Sequence, residues 1–419
     1  MAARHQLLAG IRFDLTFLFY RQTHLGANTL TLSSHIFFYC IGQTPVLISC
    51  VRLLQRRVQD CCNLEYCFDI SSYMAMSRAL AKYQNILSLD SPVPIDNIIT
   101  PSVTTIIVDQ TGCGNFTTVQ AAIDAIPDEN TQPIVIQVNP GLYEEKLLVP
   151  INKPFITLQG KDSNITSIAW NDTANATGTY NSASVAIDAP NFVARNISFW
   201  NTAPGPAPGI IGAQAVALRI SGDQAAFYGC RFFGVQDTLF DHQGRHYFKE
   251  CYIQGSIDFI FGNGRSLYED CQLHSIAKPS RRTAAGAITA QSREGPLENT
   301  GFSFVNCTVT GTGRIYLGRA WRAYSRVIFA LTYMDDIIVP GGWSNWGDSN
   351  KSLTVFYGQY KCSGPGSVER RRVRWSHELT DVVAQPFLNV SFIDGDQWLG
   401  PSPIPSMLAK PKFLIDSLY

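Results

Sequence analysis

The pattern of hydrophobic and polar positions changes near residue 100. Residues 90–104 are rich in proline, serine and asparagine, which is typical of a linker. Ile106–Val108 then form a short apolar run of the kind that predicts a strand. The next apolar residues have helical spacing, at Val119, Ala122, Ile123 and Ile126. Because Pro127 ends this pattern, we predict a short helix that caps one end of the following body.

The body from about residue 100 onward contains a repeat. Short runs with β-type patterning alternate with Gly, Asn or Asp, and an aromatic residue recurs three positions before a cysteine. The aromatic–cysteine pairs are Phe227 and Cys230, Phe248 and Cys251, Tyr268 and Cys271, and Phe304 and Cys307. A period of this size without helical spacing indicates a solenoid of strands. We therefore predict an all-β fold, a parallel β-helix.

The spacing of the four cysteines is 21, 20 and 36 residues along the chain. We interpret the 36-residue step as one coil enlarged by a long loop at 278–299. The cysteines should lie above one another on successive coils. Two states are compatible with that stacking, namely disulfides between neighbours or free thiols packed inside the coil.

Two aspartates are also separated by the length of one coil. Asp237 follows Gln236, and Asp258 comes 21 residues after Asp237; Gln214 precedes Gln236 by 22 residues. Residues one repeat apart lie on neighbouring strands, about 4.8 Å apart. We therefore predict that these four residues form a cluster on one face of three successive coils.

Such a cluster could perform acid–base and nucleophilic chemistry. Two close carboxylates cannot both ionise easily, so one would hold its proton while the other acts as base or nucleophile. Arg319 is the candidate cation partner of Asp258, and the glutamine amides could stabilise an oxyanion. Trp321 should share a strand face with Arg319, where it could stack on a sugar. The structural alternative is that each aspartate only caps a turn and each glutamine belongs to an internal amide ladder.

Composition narrows the class of protein. The chain has 419 residues, of which 45% are hydrophobic and 16% charged, with zero formal net charge. Neutrality argues against non-specific nucleic-acid binding. Asn-x-Ser/Thr sequons occur at Asn115, Asn164, Asn171, Asn175, Asn196, Asn306, Asn350 and Asn389. Their density favours export from the cell. Residues 1–95 form an atypical N-terminal segment, either a signal or anchor, a pro-segment or an unstructured stretch.

Several motifs occur in an order that resembles a known family. They are GLYEE at 141–145, QAVALR at 214–219, the stretch 234–264 around both aspartates, LGRAW at 317–321 and FIDGDQWL at 392–399. Together they resemble the plant pectin methylesterases, in the shorter class without an inhibitor-like pro-domain. The resemblance implies a right-handed parallel β-helix that removes methyl esters from homogalacturonan and releases methanol, with no metal or other cofactor. It covers roughly residues 100–400.

Carried over to matching positions, the resemblance implies a role for each polar residue of the cluster. Asp258 would be the nucleophile, and Asp237 the proton donor and acceptor. Gln236 would stabilise the oxyanion, with Gln214 beside it and the substrate. Arg319 would hold Asp258 in place.

The resemblance also implies substrate contacts from Trp321, Trp343 and Thr179. One departure from the family pattern is Ala320, which occupies a position where proline is usual. We expect a β-helix domain at 100–405 and a tail at 406–419. The expected partner is methylated homogalacturonan, with a proteinaceous pectinesterase inhibitor as a second candidate.

We expect the protein to be a monomer that is secreted to the cell wall or apoplast. Two other functions remain open on sequence grounds. One is a β-helix glycosidase or lyase that shortens pectin, because two carboxylates about 5 Å apart can also serve a retaining glycosidase. The other is a wall-binding protein without catalytic activity.

Overall fold

Each turn of the chain runs through one strand in each of three parallel sheets. This arrangement is seen in a computed structural model that describes residues 103–207, 210–279 and 284–400. The predictions for residues 1–95 and for the tail at 406–419 lie outside these ranges. Every strand pairing is parallel, and the connections take the right-handed sense that such crossovers favour. The predicted right-handed parallel β-helix is confirmed.

The three sheets contain 11, 8 and 8 strands within the described residues. Sheet A consists of β1 Thr104–Val108, β2 Ile134–Val138, β5 Ile156–Gly160, β8 Val193–Arg195, β11 Ala225–Tyr228, β14 Arg245–Lys249, β17 Arg265–Glu269, β20 Gly301–Val305, β23 Arg326–Ala330, β26 Phe356–Tyr360 and β27 His377–Glu378. Sheet B consists of β3 Gly141–Glu144, β6 Thr166–Trp170, β9 Ser198–Asn201, β12 Arg231–Phe233, β15 Tyr252–Gly255, β18 Gln272–Ile276, β21 Thr308–Thr312 and β24 Tyr333–Met334. Sheet C consists of β4 Leu147–Val149, β7 Val185–Ile187, β10 Leu218–Ile220, β13 Leu239–Asp241, β16 Ile260–Gly262, β19 Gly286–Gln291, β22 Ile315–Arg319 and β25 Trp343–Ser344.

The aromatic residues of the sequence repeat form one stack inside the coils. Phe227, Phe248, Tyr268 and Phe304 are paired in register along sheet A. Their ring centroids follow one another at 4.8, 4.5 and 4.6 Å, with nearly parallel planes. All four rings are fully buried. Offset stacking of this kind adds to the hydrophobic contribution of the core, so the repeat stabilises the solenoid along its whole length.

The four repeat cysteines also stack, and they do so as free thiols. Cys230, Cys251, Cys271 and Cys307 are buried and unbridged. The last three each direct Sγ toward a backbone carbonyl of the preceding coil, at 3.4 to 3.5 Å. Of the two states left open by the sequence, the structure therefore has the packed thiols. Here cysteine acts as a small apolar residue with a weak donor.

The predicted capping helix is present as α1, Val119–Asp124. Its apolar face is buried, and the Glu145 carboxylate accepts hydrogen bonds from the Val119 and Gln120 N–H groups at 2.9 and 3.0 Å. An acidic side chain at a helix N-terminus satisfies donors that have no partner within the helix. The helix therefore closes the first coil of the solenoid.

Short helical turns make up the rest of the described secondary structure. They are α2 Ala174–Thr177, α3 Asp381–Ala384 and the 3₁₀ turns Tyr180–Ser182, Ser349–Leu353, Pro365–Ser367, Glu369–Arg371, Gln385–Phe387, Val390–Ile393 and Gly395–Gln397. The C-terminal segment packs Phe387 and Phe392 in one cluster with Leu267 and Ile328 of sheet A. Among the described helices, none is long and apolar enough to cross a membrane.

The prediction of one long loop at 278–299 is partly wrong. Within it lies β19, Gly286–Gln291, which pairs with β16 and β22 and is buried at every position. The alternation of small and β-branched residues in this strand is too weak to stand out in the sequence. The 36-residue step is therefore a complete coil, with longer connections before and after its sheet C strand.

A buried cluster of polar side chains lies inside the coils, between sheets A and C. Asp241 Oδ1 lies 2.6 Å from His246 Nδ1, and the Tyr268 hydroxyl donates to Asp241 Oδ2 at 2.6 Å. His246 Nε2 lies 3.1 Å from the Gly222 carbonyl. Because a carbonyl oxygen can only accept, Nε2 donates to Gly222, and a hydrogen bond joins Nδ1 to the Asp241 carboxyl group. Both side chains are inaccessible to solvent.

Asp241→Asn should destabilise the fold by about 1–3 kcal/mol, because it replaces one of two buried acceptor oxygens and leaves a buried hydrogen-bonding partner unsatisfied. Urea unfolding followed by tryptophan fluorescence would measure the loss. Asp381→Asn is the matched control, since it breaks the exposed pair with Lys361 and should change stability little. Equal losses in the two variants would contradict the role of Asp241 in a buried hydrogen-bond network.

Candidate active site

The two aspartates of the predicted cluster lie on adjacent coils, each just before a sheet C strand. Asp237 precedes β13 and Asp258 precedes β16, and these strands pair in register. A further bridge joins Gln236 to Ile257, and the Asp237 N–H donates to the Ile257 carbonyl at 2.9 Å. The two carboxylates are therefore neighbours across one strand spacing, as the 21-residue interval predicts.

Both aspartates have a left-handed backbone conformation. The φ angle is 63° at Asp237 and 48° at Asp258. Aspartate tolerates this region better than most residues, because its short side chain can bond locally. The chain turns sharply there as it passes from sheet B to sheet C. The turn alternative from the sequence is thus also correct, since each aspartate occupies a turn and the two turns bring the carboxylates together.

Arg319 holds Asp258 through two parallel hydrogen bonds. Arg319 Nε donates to Asp258 Oδ1 at 2.6 Å, and Nη2 donates to Oδ2. Arg319 ends β22, 61 residues further along the chain. A bidentate guanidinium fixes both the position and the orientation of a carboxylate. The predicted partner of Asp258 is therefore in place.

Burial and charge separate the two carboxyl groups. Burial raises the pKa of Asp258, but the hydrogen bonds and charge of Arg319 oppose that effect. Burial, and then the charge of Asp258, raise the pKa of Asp237 well above its ordinary value, with a smaller opposing effect of Arg319. Asp258 therefore ionises first and Asp237 keeps its proton longer. This is the division of roles that a nucleophile and a proton donor require.

The two glutamines complete the cluster on the same side. The Ala215 N–H donates to the Gln236 carbonyl at 3.0 Å, which places Gln214 beside Gln236 on the preceding coil. Both side chains are partly exposed. Gln214 Oε1 is buried and has no hydrogen-bond partner among the described residues. Partial exposure is not that of an internal amide ladder, and both glutamines lie on the coils that carry or adjoin Asp237.

This geometry occurs in a chain whose residues 105–396 match the family model described as Pectinesterase. The chain belongs to the pectinesterase family. The protein is therefore a carboxylic ester hydrolase that de-esterifies pectin. Membership of this family argues against the glycosidase and lyase functions that the sequence had left open.

Pectinesterases of known sequence and structure resemble most of the chain. Probable pectinesterase 8 of Arabidopsis thaliana is 54% identical over 314 residues, which cover 74% of this chain and 80% of that protein. A pectin methylesterase from carrot is 34% identical, with a TM-score of 0.66 over 74% of this chain and 97% of that chain. A pectin methylesterase solved in complex with a hexasaccharide is 26% identical, with a TM-score of 0.61 over 70% of this chain and 98% of that one.

Aromatic side chains form a largely buried cluster three residues after the pectinesterase carboxylates. Phe240 and Phe261 stack at 4.3 Å between ring centroids, and Trp321 lies 6.0 Å from Phe261. Phe240 and Phe261 belong to β13 and β16, three residues after Asp237 and Asp258 respectively. Trp321 is partly exposed and lies next to the strand that follows Asp258. The sequence analysis missed the two phenylalanines, although the 21-residue interval that links the aspartates also links them.

Trp343 does not line this groove, so that prediction is wrong. Its side chain is only 2% exposed and stacks on Tyr357 at 4.4 Å inside the solenoid. The motif GGWSNW contains a second tryptophan, Trp346, which is 41% exposed and packs against Arg319. Trp343 belongs to β25, whereas Trp346 lies in the turn that follows it and has a left-handed backbone conformation, which directs its ring outward. The sequence analysis selected the inward-facing one.

Thr179 lies immediately before the 3₁₀ turn Tyr180–Ser182. Its carbonyl accepts hydrogen bonds from the N–H and hydroxyl of Ser182. Its neighbour Tyr180 extends further, with its ring 6.2 Å from Phe240 in an edge-on contact. Asn201, also missed from the sequence, donates to the Ser182 and Val216 carbonyls and so holds this turn against the strand that follows Gln214.

The unusual Ala320 has a structural role that proline could not fill. Its N–H donates to the Ser344 carbonyl at 2.9 Å and joins the end of β22 to β25. Proline has no N–H to donate. Lys351 Nζ contacts the carbonyls of Ala320 and Trp321 at 3.0 and 3.2 Å. These contacts fix the segment after Arg319 by hydrogen bonds instead of by ring rigidity.

Within the described residues, no group of three or more His, Cys, Asp or Glu side chains could hold a metal ion.

Proposed function

We propose that the protein hydrolyses the methyl esters of homogalacturonan through a covalent acyl-enzyme on Asp258. The observation that carries this mechanism is the pairing of Arg319 with Asp258, next to a second carboxyl group of higher pKa. A nucleophile held by a cation and a neutral acid on the adjacent coil are the two parts that acyl transfer to a carboxylate needs.

In the first half of the reaction the ester is transferred to the enzyme. An Asp258 oxygen attacks the methyl ester carbonyl and forms a tetrahedral oxyanion, which the amide of Gln236 stabilises by hydrogen bonding. The carbon–oxygen bond to the methoxy group then breaks, and Asp237 gives its proton to the departing methanol. The galacturonyl group remains bound to Asp258 as an anhydride, and Asp237 is now ionised.

In the second half water releases the acid. The Asp237 carboxylate takes a proton from water as the oxygen attacks the acyl carbon, so Asp237 returns to its protonated state. The bond to Asp258 breaks, and Arg319 stabilises the carboxylate that leaves. One water is consumed, and one methanol and one galacturonate carboxyl are produced.

The groove beside the carboxylates would hold the polysaccharide. We assign Trp321, which is partly exposed, to the face of a sugar ring, because aromatic faces pack against the C–H groups of sugars. The buried Phe240 and Phe261 would support Trp321 from beneath. Gln214 would contact the substrate from the preceding coil through the exposed part of its side chain. Thr179 would contact it at the rim. Since the coils stack about 4.8 Å apart, a linear chain along sheet C would meet several coils at once.

Methanol release from highly methylated pectin, measured together with polymer length, tests the proposed function. We expect the full chain to release methanol while the length distribution on size-exclusion chromatography stays unchanged. Shortened polymer would contradict the esterase mechanism and favour glycosidic cleavage. Binding to pectin by a correctly folded chain without methanol release would show that the protein has no catalytic activity.

We further propose that the protein acts in the cell wall or apoplast. The eight sequon asparagines are all solvent-exposed, as glycan acceptors must be. Recovery of the chain from a wall fraction, with a mass that falls on endoglycosidase treatment, would support this location. Recovery of a glycan-free chain from the cytosol would contradict it.

We also propose that the protein is a monomer and that a proteinaceous inhibitor binds it. Sedimentation velocity of the protein alone and of its mixture with the inhibitor would test both proposals.

A further inference from the structure

Arg319 is enclosed between a carboxylate and an aromatic ring. One side of its guanidinium binds Asp258 through Nε and Nη2. Its Cζ atom also lies 3.9 Å from the centroid of the Trp346 ring. A guanidinium at this distance from an indole face is attracted by the ring's electrons and is shielded from water on that side. Trp346 thus contacts the group that holds the proposed nucleophile.

The loop after β25 holds Trp346 in an unfavourable backbone conformation. β22 and β25 pair Arg319 with Ser344, so Trp346 comes two residues after the partner of Arg319. The φ angle of Trp346 is 58°, a left-handed value that is unfavourable for a bulky residue. The Trp346 N–H donates to Ser344 Oγ at 3.2 Å, and Asn345 Oδ1 accepts from the Gly347 N–H at 3.1 Å. These bonds maintain a turn that glycine would adopt without strain.

The ring covers the part of the site most open to water. The Arg319 side chain is 28% exposed, whereas that of Asp258 is 8% exposed. An arginine that is hydrated on its outer face can rotate away from its partner, and a buried carboxylate then loses the cation that keeps it ionised. Asp258 also faces Asp237, and its charge reaches the buried Tyr357 hydroxyl, but Arg319 is the cation that opposes the effect of burial.

We propose that Trp346 is a positioning residue for the reaction, which keeps Arg319 on Asp258 by stacking on the guanidinium. The inference rests on the proposed roles of Asp258 and Arg319. It assigns the strained backbone at Trp346 to catalysis, because the strain places a large aromatic ring where the fold alone would favour glycine. An alternative role, in which Trp346 mainly stacks on the sugar, gives a different kinetic result.

Trp346→Gly is the sharpest test, because it removes the ring and also relieves the backbone strain. We expect this variant to unfold at a temperature no lower than that of the parent chain, but to have a kcat about tenfold lower with KM changed less than twofold. The acid limb of the pH profile of kcat should move up by about half a pH unit, since a poorly held Arg319 leaves Asp258 protonated at higher pH. Methanol release over a range of pectin concentrations and pH measures kcat, KM and the position of the acid limb.

Two further variants keep the test decisive. Trp346→Phe retains an aromatic face and should restore most of kcat and of the acid limb. Trp170→Ala is the matched control, because Trp170 is 36% exposed but lies on β6 of sheet B, and both parameters should stay at the parent values. If Trp346→Gly did not fold, Trp346→Leu compared with Trp346→Phe would still separate aromatic stacking from simple coverage.

Two outcomes would overturn the inference. An increase in KM with unchanged kcat and an unchanged acid limb would show that Trp346 stacks on the sugar. If Trp346→Gly had the kcat, KM and pH profile of the parent chain, Arg319 would keep its position on Asp258 without the Trp346 ring. Failure of the proposed function is distinguishable from both, because the parent chain would then release no methanol.

Discussion

Asp258→Asn should reduce methanol release by at least about 10⁴-fold, the largest effect of any single substitution considered for this protein. Asparagine retains the shape of aspartate and can still accept a hydrogen bond from Arg319. It cannot form the acyl-enzyme, because a neutral amide is a very poor nucleophile toward an ester. The comparison is a methanol assay of the variant and the parent chain on the same highly methylated pectin.

The control for this substitution is Asp128→Asn, the same chemical change at a side chain that is 67% exposed in the turn after α1. It should retain full activity. The thermal unfolding of Asp258→Asn should show a folded protein, since the substitution removes a buried negative charge but keeps the side-chain volume. Residual activity above about one per cent in Asp258→Asn would argue that another group is the nucleophile.

Asp237→Asn should reduce kcat by about 10²–10⁴-fold, because it removes the proton donor of the first half-reaction and the base of the second. The pH profile gives an independent measure. The pKa of Asp237 is raised by burial and by Asp258, so the parent chain should keep a protonated acid well above the ordinary range and lose activity only as pH rises through that pKa. In the variant this alkaline limb should disappear from the residual activity.

The acid limb provides the control within the same experiment. It reports ionisation of Asp258, which Asp237→Asn does not remove, so an acid limb should remain. Because the two carboxyl groups interact, the limbs report pKa values of the pair rather than of single residues. A variant that kept its alkaline limb would show that a group other than Asp237 supplies the proton.

The difference in pKa between the two aspartates explains how one residue type can serve both as nucleophile and as proton donor. Burial raises the pKa of Asp258, and the Arg319 cation beside it limits that rise. Asp237 has no comparable cation contact, and the charge of its neighbour raises its pKa further. The two residues are chemically identical in the unfolded chain. Their opposite roles come from their environments on adjacent coils.

The sequence by itself determined the architecture and the centre of the site, for a physical reason. In a parallel β-helix each coil pairs with the next, so a distance of one repeat along the chain becomes a distance of one strand spacing in space. The aromatic–cysteine repeat, the capping helix and the neighbouring positions of Asp237 and Asp258 could all be predicted from intervals. The same rule extends to Phe240 and Phe261, which the analysis overlooked.

Only the tertiary structure decided the features that depend on turns and long connections. The intervals did not show that Trp343 points into the core while Trp346 points out, because a left-handed residue at Trp346 redirects the chain. They did not reveal β19, since small residues carry little pattern. They also did not reveal the buried pair of Asp241 and His246, or the N–H of Ala320 that replaces proline rigidity. These features depend on where a side chain points after a turn, and the folded packing determines that direction.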